Sequence, residues 1–597
     1  MSTLQRLLTL VLLLGLGVGT IPGAAPATAA STLADSCPRD LDGPVADSPI
    51  TGYFIFYGGN VCDARQRMQS LHRLGADTAI TFGYSFREVQ VDAAGRVLTA
   101  AGEPDPAWAD CLDDQGRTCW AAARAAIGDS TIRRVLRYAS AERLGPAVLR
   151  CTQNGRDAEV VHDGRRYQRI LLPVGDDGDC TAAHDSYDLV LVANGSVGAA
   201  DPVETTLAEA DAYGIDFLMG MPVPDKDPKA AWLPDATKLD SVTTFSARLF
   251  ADWAVRHADH PSFVGVYQST EMPVKANSAW DVVYRLYDLQ HELVGRLLPG
   301  KMIMISPYQD ARRDKGVPIA GAEAAFVRMA QTAPPGVRIA VAPQDGRGTS
   351  KVGIYFPNQI DDIVDPQLFS HVGQVTYREA YEGTTGDYYA SEARGRDGLD
   401  RPGAELWANV ELMARGVGEG QQPCGSNAEP SIAATWPRVA QQLSAAGHHA
   451  SKVIAYMYDG IMTCTNPGIE SLENQLLAAA GQPVPVEVTP LVRSGVPGTV
   501  IMGYHVRHST VTITQERRDG TATDPVTFGV REVKAVPLGR GNAGRLDTAH
   551  WPAGMEALWI PWVMDNSADL QPWLRITMAN RAGAIPYGEY VTVPTAG

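Results

Sequence analysis

Three carboxylate residues stand at or just beyond the ends of apolar runs of the kind that form buried strands: Glu271, Asp345 and Glu411. Two carboxyl groups facing each other across a groove can break a glycosidic bond. One protonates the leaving oxygen, while the other attacks the anomeric carbon or activates a water molecule there. Burial and a second negative charge raise the pKa of one group and leave the other ionised, so one residue type supplies both roles. The pattern therefore predicts glycosidic bond hydrolysis.

Aromatic and amide residues near the same strand ends complete the predicted site. Aromatic rings stack on the apolar faces of sugars, and amide side chains hydrogen-bond to hydroxyl groups. The candidate substrate-binding residues are Tyr53, Tyr267, Tyr308, Gln344, Asp345, Trp407, Asn409 and Tyr458.

Structural roles remain open for several of these residues. The two glutamates could be solvated residues of a rim, and Asp345 could form a turn or cap a helix. Trp407 and Tyr308 could be packing residues.

The elements that must position these residues form a repeating pattern. Between residues 50 and 482, eight short apolar runs alternate with stretches that carry apolar residues at helical spacing. The predicted strands are Gly52–Tyr57, Asp77–Tyr84, Ile215–Met221, Phe263–Gln268, Met302–Ser306, Arg338–Ala342, Glu405–Val410 and Lys452–Met457. Eight strands, each followed by a helix, predict an α/β fold of the (β/α)8 TIM-barrel type. Reactive groups of such barrels project from the C-terminal ends of the strands.

Three further segments flank or interrupt the barrel. Residues 30–49 form an N-terminal extension. About residues 85–187 are inserted between the second strand and its helix, and their four cysteines predict an ordered, disulfide-braced cap over one rim. Over 486–597, short alternating segments separated by turns predict an all-β sandwich domain.

The N-terminus predicts export. Arg6 precedes the apolar run 7–18, which is shorter than the ~20 residues that span a bilayer, and Ala27-Thr28-Ala29 resembles a cleavage site. We therefore expect residues 1–29 to be a signal peptide and the mature protein to be secreted, without a membrane span. Eight cysteines in an exported chain favour disulfide bonds. Nearest-neighbour pairing predicts Cys37–Cys62, Cys111–Cys119, Cys151–Cys180 and Cys424–Cys464.

Composition and charge exclude other classes. Hydrophobic residues make up 45% of the chain and charged residues 20%, which excludes a wholly disordered protein. The net charge of −17, without a basic run, argues against a nucleic-acid partner. We expect no cofactor and no metal, since no Cys-x-x-Cys or histidine cluster marks the strand ends, and we interpret His257 and His260 as structural. The oligomeric state stays open.

A resemblance to a known family is carried by the segments Thr51–Phe54, His72–Ile80, Ile305–Tyr308, Pro343–Gly348 and Leu406–Glu411. In this order they resemble a family of exported TIM-barrel proteins, domain of unknown function 4434, which is similar to clan A glycoside hydrolases. The resemblance covers about residues 50–480. It implies that Glu271, after the fourth strand, is the acid/base and that Glu411, on the seventh, is the nucleophile of a retaining enzyme. Thr270 departs from the clan, which usually has Asn at this position.

The preferred prediction is a secreted glycoside hydrolase that acts on a polysaccharide or glycoconjugate. Two alternatives remain. A non-catalytic carbohydrate-binding barrel would keep the groove but misalign the carboxyl groups. A cell-envelope scaffold would bind a partner protein through its sandwich domain and would lack a deep cleft.

Overall fold

The computed structural model describes residues 36–175, 180–182, 184–416, 421–425, 431–538, 546, 548–565, 567–585 and 589–592. Its centre is a closed barrel of eight parallel strands in the order β1-β8-β7-β6-β5-β4-β3-β2. The barrel strands are β1 (Gly52–Ile55), β2 (Thr78–Thr81), β3 (Asp216–Gly220), β4 (Phe263–Gln268), β5 (Met302–Ile305), β6 (Ile339–Val341), β7 (Ala404–Glu411) and β8 (Lys452–Tyr456). The predicted (β/α)8 barrel is confirmed. Seven predicted strands contain the observed ones, and the prediction for β7 is one residue short at each end.

Each barrel strand is followed by a helix of the outer layer. These helices are α1 (Val61–Arg73), α2 (Pro202–Tyr213), α3 (Leu239–Arg256), α4 (Asp281–Leu297), α5 (Ile319–Gln331), α6 (Thr385–Asp397), α7 (Trp436–Ala446) and α8 (Leu472–Ala478). Local sequence explains where they begin. At α2, for example, the Asp201 side chain accepts from the N–H of Val203, and Pro202 occupies the first turn, where its missing N–H costs nothing. Short helices at Phe369–Val372 and Tyr377–Ala380 decorate the segment between β6 and α6.

The strands are buried on both faces, inside the barrel and beneath the helices. Phe54 of β1 faces the interior, where its ring meets those of Tyr267 and Tyr456 at centroid distances of 5.0 and 5.8 Å. Its neighbour Tyr53 points the other way, since side chains alternate along a strand. The short two-stranded pairs Lys226–Asp227 with Ala230–Pro234 and Met413–Arg415 with Ser431–Ala433 lie beyond β3 and β7.

The insertion after β2 is a mixed six-stranded sheet with its own helix, Cys119–Ile127. In sheet order its strands are Ala158–His162, Arg165–Pro173, Ser186–Ser196, Thr131–Tyr138, Ser85–Glu88 and Val223–Pro224. The last of these follows β3, so the sheet joins two separate parts of the chain. The insertion runs on to the start of α2, past the predicted limit of 187.

This sheet packs along helix α3, and two of its strands, Ser85–Glu88 and Val223–Pro224, begin just after the C-terminal ends of β2 and β3. The ring of Phe86 stacks on that of Phe245 of α3 at 4.9 Å, and the ring of Tyr138 meets it at a tilt, with the centroids 4.8 Å apart. Three residues further along the helix, Arg248 forms a buried ion pair with Asp157 at 2.9 Å. Both faces of the sheet are apolar and buried, so it must pack against a helix on each side, and α3 supplies one of them.

The C-terminal domain consists of two antiparallel sheets, as the sandwich prediction required. One sheet contains Val484–Arg493, Val496–Tyr504, Met555–Ile560 and Lys534–Ala535. The other contains Val526–Phe528, Thr510–Arg517, Leu570–Asn580, Gly583–Ala584 and Glu589–Thr592. The first strand begins two residues before the predicted boundary at 486. Its sheet packs one face against the second sheet and adds residues such as Val486 and Met502 to the core of the barrel domain.

The four disulfide bonds join the predicted pairs, Cys37–Cys62, Cys111–Cys119, Cys151–Cys180 and Cys424–Cys464. Such bonds are typical of proteins that fold in an oxidising compartment. The described part of the N-terminal extension, from residue 36, is tied to the barrel by an ion pair of Arg39 with Glu209 at 2.9 Å. The predicted signal peptide, residues 1–29, lies outside the described residues. No helix within the described ranges is both long and apolar enough to cross a bilayer.

Candidate active site

Glu271 and Glu411 lie at the same mouth of the barrel, where the strands have their C-terminal ends. Glu411 is the last residue of β7, and Glu271 follows the end of β4 by three residues. Isolated parallel bridges continue the pairing three to five residues beyond the ends of β4, β5 and β6 and hold the chain in register there. They join Pro273 to Tyr308, Tyr308 to Gln344, and Gln344 to Asn409. The predicted convergence of residues separated by 140 positions is therefore a consequence of barrel closure.

Glu271 is half-buried and is oriented by an amide. The Gln344 Nε2 donates to its Oε1 at 2.9 Å and also donates to the Ser306 carbonyl at 3.1 Å. Burial raises the pKa of Glu271, and the negative charge of Glu411 raises it further. Lys351 and the Gln344 hydrogen bond act in the opposite direction. The net effect is a carboxyl group that retains its proton at a higher pH than an ordinary glutamate.

Glu411 is fully buried beneath the loop that follows β6. The Thr349 N–H donates to its Oε2 at 2.8 Å, and the Thr349 hydroxyl lies 3.2 Å from both carboxylate oxygens. A side chain at Gly348 would place its Cβ 2.8 Å from the Glu411 Cβ, so only glycine lets this loop approach so closely. Burial raises the pKa of Glu411, whereas Lys351 and the N–H groups of the loop favour its ionised form.

Lys351 and Tyr456 are neighbours of both glutamates. Burial lowers the pKa of Lys351, and the charges of Glu411 and Glu271 raise it. The Lys351 Nζ lies 3.5 Å from the centroid of the Tyr308 ring, a cation–π contact that fixes the ammonium above the mouth. Burial also raises the pKa of Tyr308 to about 12. Both glutamates raise the pKa of Tyr456 beyond the effect of burial, so the phenol faces the same space as the two carboxylates.

Asp345 lies behind Glu411 and not in front of it. Its Oδ1 accepts from the backbone N–H groups of Arg347 and Glu411, and its Oδ2 accepts from the Gln442 Nε2 of α7 at 2.7 Å. Burial, together with the charge of Glu411, raises the pKa of Asp345 to about 7. Its contacts position Glu411 and leave it no exposed surface.

The floor of the mouth is aromatic and amide in character. Tyr267 is buried against Phe54, and Glu271 raises its pKa in addition to the effect of burial. Asn409 lies one interior layer below Glu411 and donates from Nδ2 to the Ser306 hydroxyl at 2.9 Å. Phe82 meets Tyr456 edge-on, at a centroid distance of 5.9 Å. The structure therefore brings Tyr267, Tyr308, Gln344 and Asn409 to the glutamates.

Trp407 is at the opposite mouth of the barrel, which corrects its placement in the cleft. Four residues of strand β7 separate it from Glu411, a distance of about 13 Å at ~3.3 Å per residue. Its Nε1 donates to Glu405 at 2.9 Å, and the Lys452 ammonium lies 5.4 Å from its ring. It lines a cavity of about 340 Å³ at the N-terminal mouth.

Tyr53 and Tyr458 face the helix layer, which also corrects their assignment. The buried Tyr53 hydroxyl lies near Ser48 and Glu473, and the Tyr458 hydroxyl is 3.5 Å from the Glu473 carboxylate of α8. Alternation places Tyr53 outside the barrel because Phe54 points inside. The chain turns directly after β8, and this turn carries Tyr458 away from the mouth.

Several residues at the mouth were missed from sequence. Lys351 and Thr349 belong to the loop Gly346–Lys351, and Tyr456 belongs to β8. Lys226 is a further cation, and Glu271 raises its pKa against the lowering effect of burial. The position of Lys351 and Thr349 after a strand end was a usable signal, since loops at this face carry function in TIM barrels. The backbone N–H of Thr349 leaves no trace in the sequence.

A family comparison covers this mouth. Residues 180–470 match the model of a family described as a domain of unknown function, DUF4434. The matched segment includes strands β3 to β8 and both glutamates, whereas β1, β2 and the sandwich domain lie outside it. A search of curated proteins gives no match.

Solved structures similar to this chain include glycoside hydrolases. An endo-β-1,4-mannanase from Thermotoga petrophila has 8% sequence identity and a TM-score of 0.36, over 93% of this chain and 100% of that chain. A glycoside hydrolase family 5 protein from Bacteroides vulgatus has 8% identity and a TM-score of 0.35, over 92% and 97%. The closed eight-stranded barrel of this chain is itself the evidence for its fold.

Proposed function

We propose that this protein is a secreted glycoside hydrolase of the retaining type that acts on a polysaccharide or glycoconjugate. Glu271 is the acid/base and Glu411 the nucleophile. The observation that carries the proposal is the shared environment of the two carboxyl groups. Both are desolvated at the C-terminal mouth of the barrel, and both raise the pKa values of Lys351 and Tyr456.

The hydrogen bonds support this division of roles. Glu411 accepts from the N–H of Thr349 and lies within reach of its hydroxyl, and N–H donors favour an ionised carboxylate, the form a nucleophile needs. Glu271 accepts from one neutral amide, that of Gln344, and the charge of Glu411 opposes its ionisation. The pair therefore favours a proton on Glu271 and a negative charge on Glu411, which are the starting states of an acid/base and a nucleophile.

Substrate contacts come from aromatic and amide groups around the glutamates. Phe56 is 45% exposed beside Phe82, with ring centroids 5.5 Å apart, and offers an aromatic face to a sugar ring. Tyr308 and Gln344 lie against Glu271, while Tyr267 and Asn409 shape the floor. Asp345 acts as a positioning residue for Glu411. Trp232, 62% exposed on the hairpin that also carries Lys226, is a further platform.

Access to Glu411 requires movement of the loop Gly346–Lys351. Glu411 has no exposed surface while Thr349 covers it, so a sugar reaches the carboxylate when this loop moves outward. Replacing the Thr349 hydrogen bonds by contacts with the substrate would offset the cost of that movement. Binding of the sugar to the aromatic groups would offset the rest of the free-energy cost of moving the loop.

A second candidate function follows from the same burial. A barrel whose buried Glu411 never meets substrate would bind carbohydrate through Phe56, Tyr308 and Gln344 without cleaving it. Because Glu411 has no exposed surface, the structure favours a binding function over hydrolysis in a permanently open cleft.

One experiment separates the two functions. The full-length protein is incubated with a panel of bacterial and plant glycans, and both bound glycan and released reducing ends are measured, with Glu271→Gln in parallel. The hydrolase proposal expects release from at least one glycan and its loss in the variant. Binding to the same glycan without release by either protein establishes the binding module instead.

A further inference from the structure

A cluster of two histidines and a glutamate lies in the helix layer, away from the carboxylates of the barrel mouth. His257 and His260 follow the end of α3 in the sequence His-Ala-Asp-His, and Glu204 lies in the first turn of α2. The Glu204 Oε2 is 3.4 Å from the His257 Nδ1, and its Oε1 is 3.1 Å from the His260 Nε2. The three ligand atoms lie within 4.8 Å of one another.

These separations match those of ligands around a small divalent ion. Zinc binds imidazole nitrogen and carboxylate oxygen at about 2.0–2.2 Å, and a tetrahedral arrangement places such ligands about 3.4 Å apart. Two imidazoles and one carboxylate are a ligand set of Zn²⁺ and of neighbouring transition metals such as Co²⁺.

His257 supplies an independent observation. Its side chain has no exposed surface, yet neither ring nitrogen forms a hydrogen bond. Buried polar groups without a hydrogen bond are rare in folded proteins, because burial removes the water that would otherwise satisfy them. The Nδ1 of this ring faces Glu204, so an ion bound there would satisfy it.

The second nitrogen of each ring faces another carboxylate. The His260 Nδ1 lies 2.5 Å from the Asp211 Oδ2 of α2. The His257 Nε2 lies 3.6 Å from the Glu142 Oε1, which belongs to the insertion. Histidines that ligate metals usually present their free nitrogen to a carboxylate in this way, which fixes the ring orientation and increases the basicity of the ligand atom.

We propose that Glu204, His257 and His260 form a binding site for a divalent transition-metal ion of the Zn²⁺ class. The ion would join α2 to α3 and, through Glu142, brace the insertion against the barrel. Glu204 is half-exposed, and three protein ligands leave a coordination position for water on that side. The proposal departs from the sequence-based interpretation of these histidines as purely structural. It does not depend on the proposed glycosidase activity.

The test is a calorimetric titration of the full chain with Zn²⁺ after removal of metals by a chelator. We expect one equivalent to bind. Glu204→Gln and His260→Gln should each weaken binding at least about tenfold. Glu204 is exposed enough that its glutamine variant retains the fold, which circular dichroism checks. His448→Gln is the matched control, since His448 also contacts a glutamate, Glu487, but lies outside the cluster, and it should bind like the wild type.

Co²⁺ gives a second readout. Binding at this site should produce visible absorption bands of a low-coordinate nitrogen and oxygen environment, which Glu204→Gln removes. Absence of a one-to-one Zn²⁺ complex would overturn the proposal. So would wild-type affinity in both cluster variants, or loss of binding in His448→Gln alone.

Discussion

The two mouths of the barrel contain the same types of residue and arrange their charges differently. At the N-terminal mouth two of the acids pair directly with a cation: Glu405 pairs with Arg338 at 2.7 Å, and Asp77 pairs with Lys452. A lysine also lies over an aromatic ring there, Lys452 above Trp407. Such pairs, half in contact with solvent, contribute little to stability and have no need to change protonation state.

At the C-terminal mouth the acids are buried and their charges are shared. The charges of Glu271 and Glu411 both raise the pKa of Lys351, which lies above the Tyr308 ring. Burial raises the pKa of both glutamates, and the charge of Glu411 raises that of Glu271. Buried acids that influence each other are characteristic of catalytic sites. The comparison teaches that composition alone does not show whether the acids of a mouth are paired with cations or influence each other.

Replacement of Glu411 by glutamine tests the comparison most severely. The variant should lose about 10³-fold or more in kcat, because the amide cannot attack the anomeric carbon. The glycan-release assay measures the loss. Glu405→Gln is the matched control on the same strand and should retain wild-type activity. Equal rates in the two variants would remove the distinction between the mouths.

Glu271→Gln should lower kcat by about 10²–10⁴-fold on a natural glycan, the usual contribution of general acid catalysis. An aryl glycoside whose leaving group needs no protonation should be cleaved with a much smaller loss in its first step. Values of kcat/KM on both substrates check this, because kcat/KM reports the first step and is not limited by the slow release of the glycosyl-enzyme. An equal loss of kcat/KM on the two substrates would contradict an acid role for Glu271.

Lys351→Met should shift the pH dependence of the reaction. Lys351 lowers the pKa of both glutamates, so removal of its charge should raise both pKa values. Less Glu411 is then ionised on the acidic side, and kcat/KM there should fall about tenfold while the acidic limb of the profile moves to higher pH. Lys452→Met, at the other mouth, should leave the profile in place. A profile unchanged in Lys351→Met would show that this lysine is not coupled to the pair.

Asp345→Asn should change how stability depends on pH. The folded-state pKa of about 7 exceeds the ordinary value near 3.9, so the contribution of Asp345 to stability is complete below pH 4 and is lost as the pH rises towards 7. The variant does not lose this contribution. Its free energy of unfolding should therefore rise relative to that of the wild type, by at most about 1.4 kcal/mol per pH unit between pH 4 and 7. Urea unfolding between pH 5 and 7 measures the difference. If the unfolding free energies of the two proteins changed with pH in the same way, Asp345 would be ionised throughout this range, which would contradict the prediction.

Trp407→Phe should have the smallest effect on activity. The substitution should leave kcat/KM within about twofold and cost about 1–3 kcal/mol of stability, through lost packing and the lost hydrogen bond to Glu405. Kinetics and thermal unfolding of one preparation check both. A large rise in KM without destabilisation would return Trp407 to the substrate site.

The sequence was sufficient to predict the barrel, the disulfide pairs and the strand ends that carry Glu271 and Glu411. Apolar runs of four to eight residues and the helices between them define the order of elements. Barrel closure then brings the ends of β4 and β7 to one mouth without further information.

The direction in which an individual strand side chain points could not be predicted from these patterns. Strands buried on both sides are apolar throughout, so their sequence does not reveal which residues point inward. Tyr53 was therefore assigned to the mouth although Phe54 occupies the interior. The sequence also does not show the turn after β8. The prediction therefore placed Tyr458 in the substrate site, whereas Tyr456 is the residue that faces the glutamates. The packing of the insertion against α3 depends on contacts such as Phe86 with Phe245, which no local pattern encodes.

The most direct test of the account is the search for a covalent sugar on Glu411. In the Glu271→Gln variant, an aryl glycoside should form the glycosyl-enzyme but release it slowly, because the general base is missing. Mass spectrometry of the digested protein should then find one added glycosyl residue on the peptide that contains Glu411. Turnover of the same glycoside with no adduct at Glu411, or with the adduct on another residue, would contradict the account.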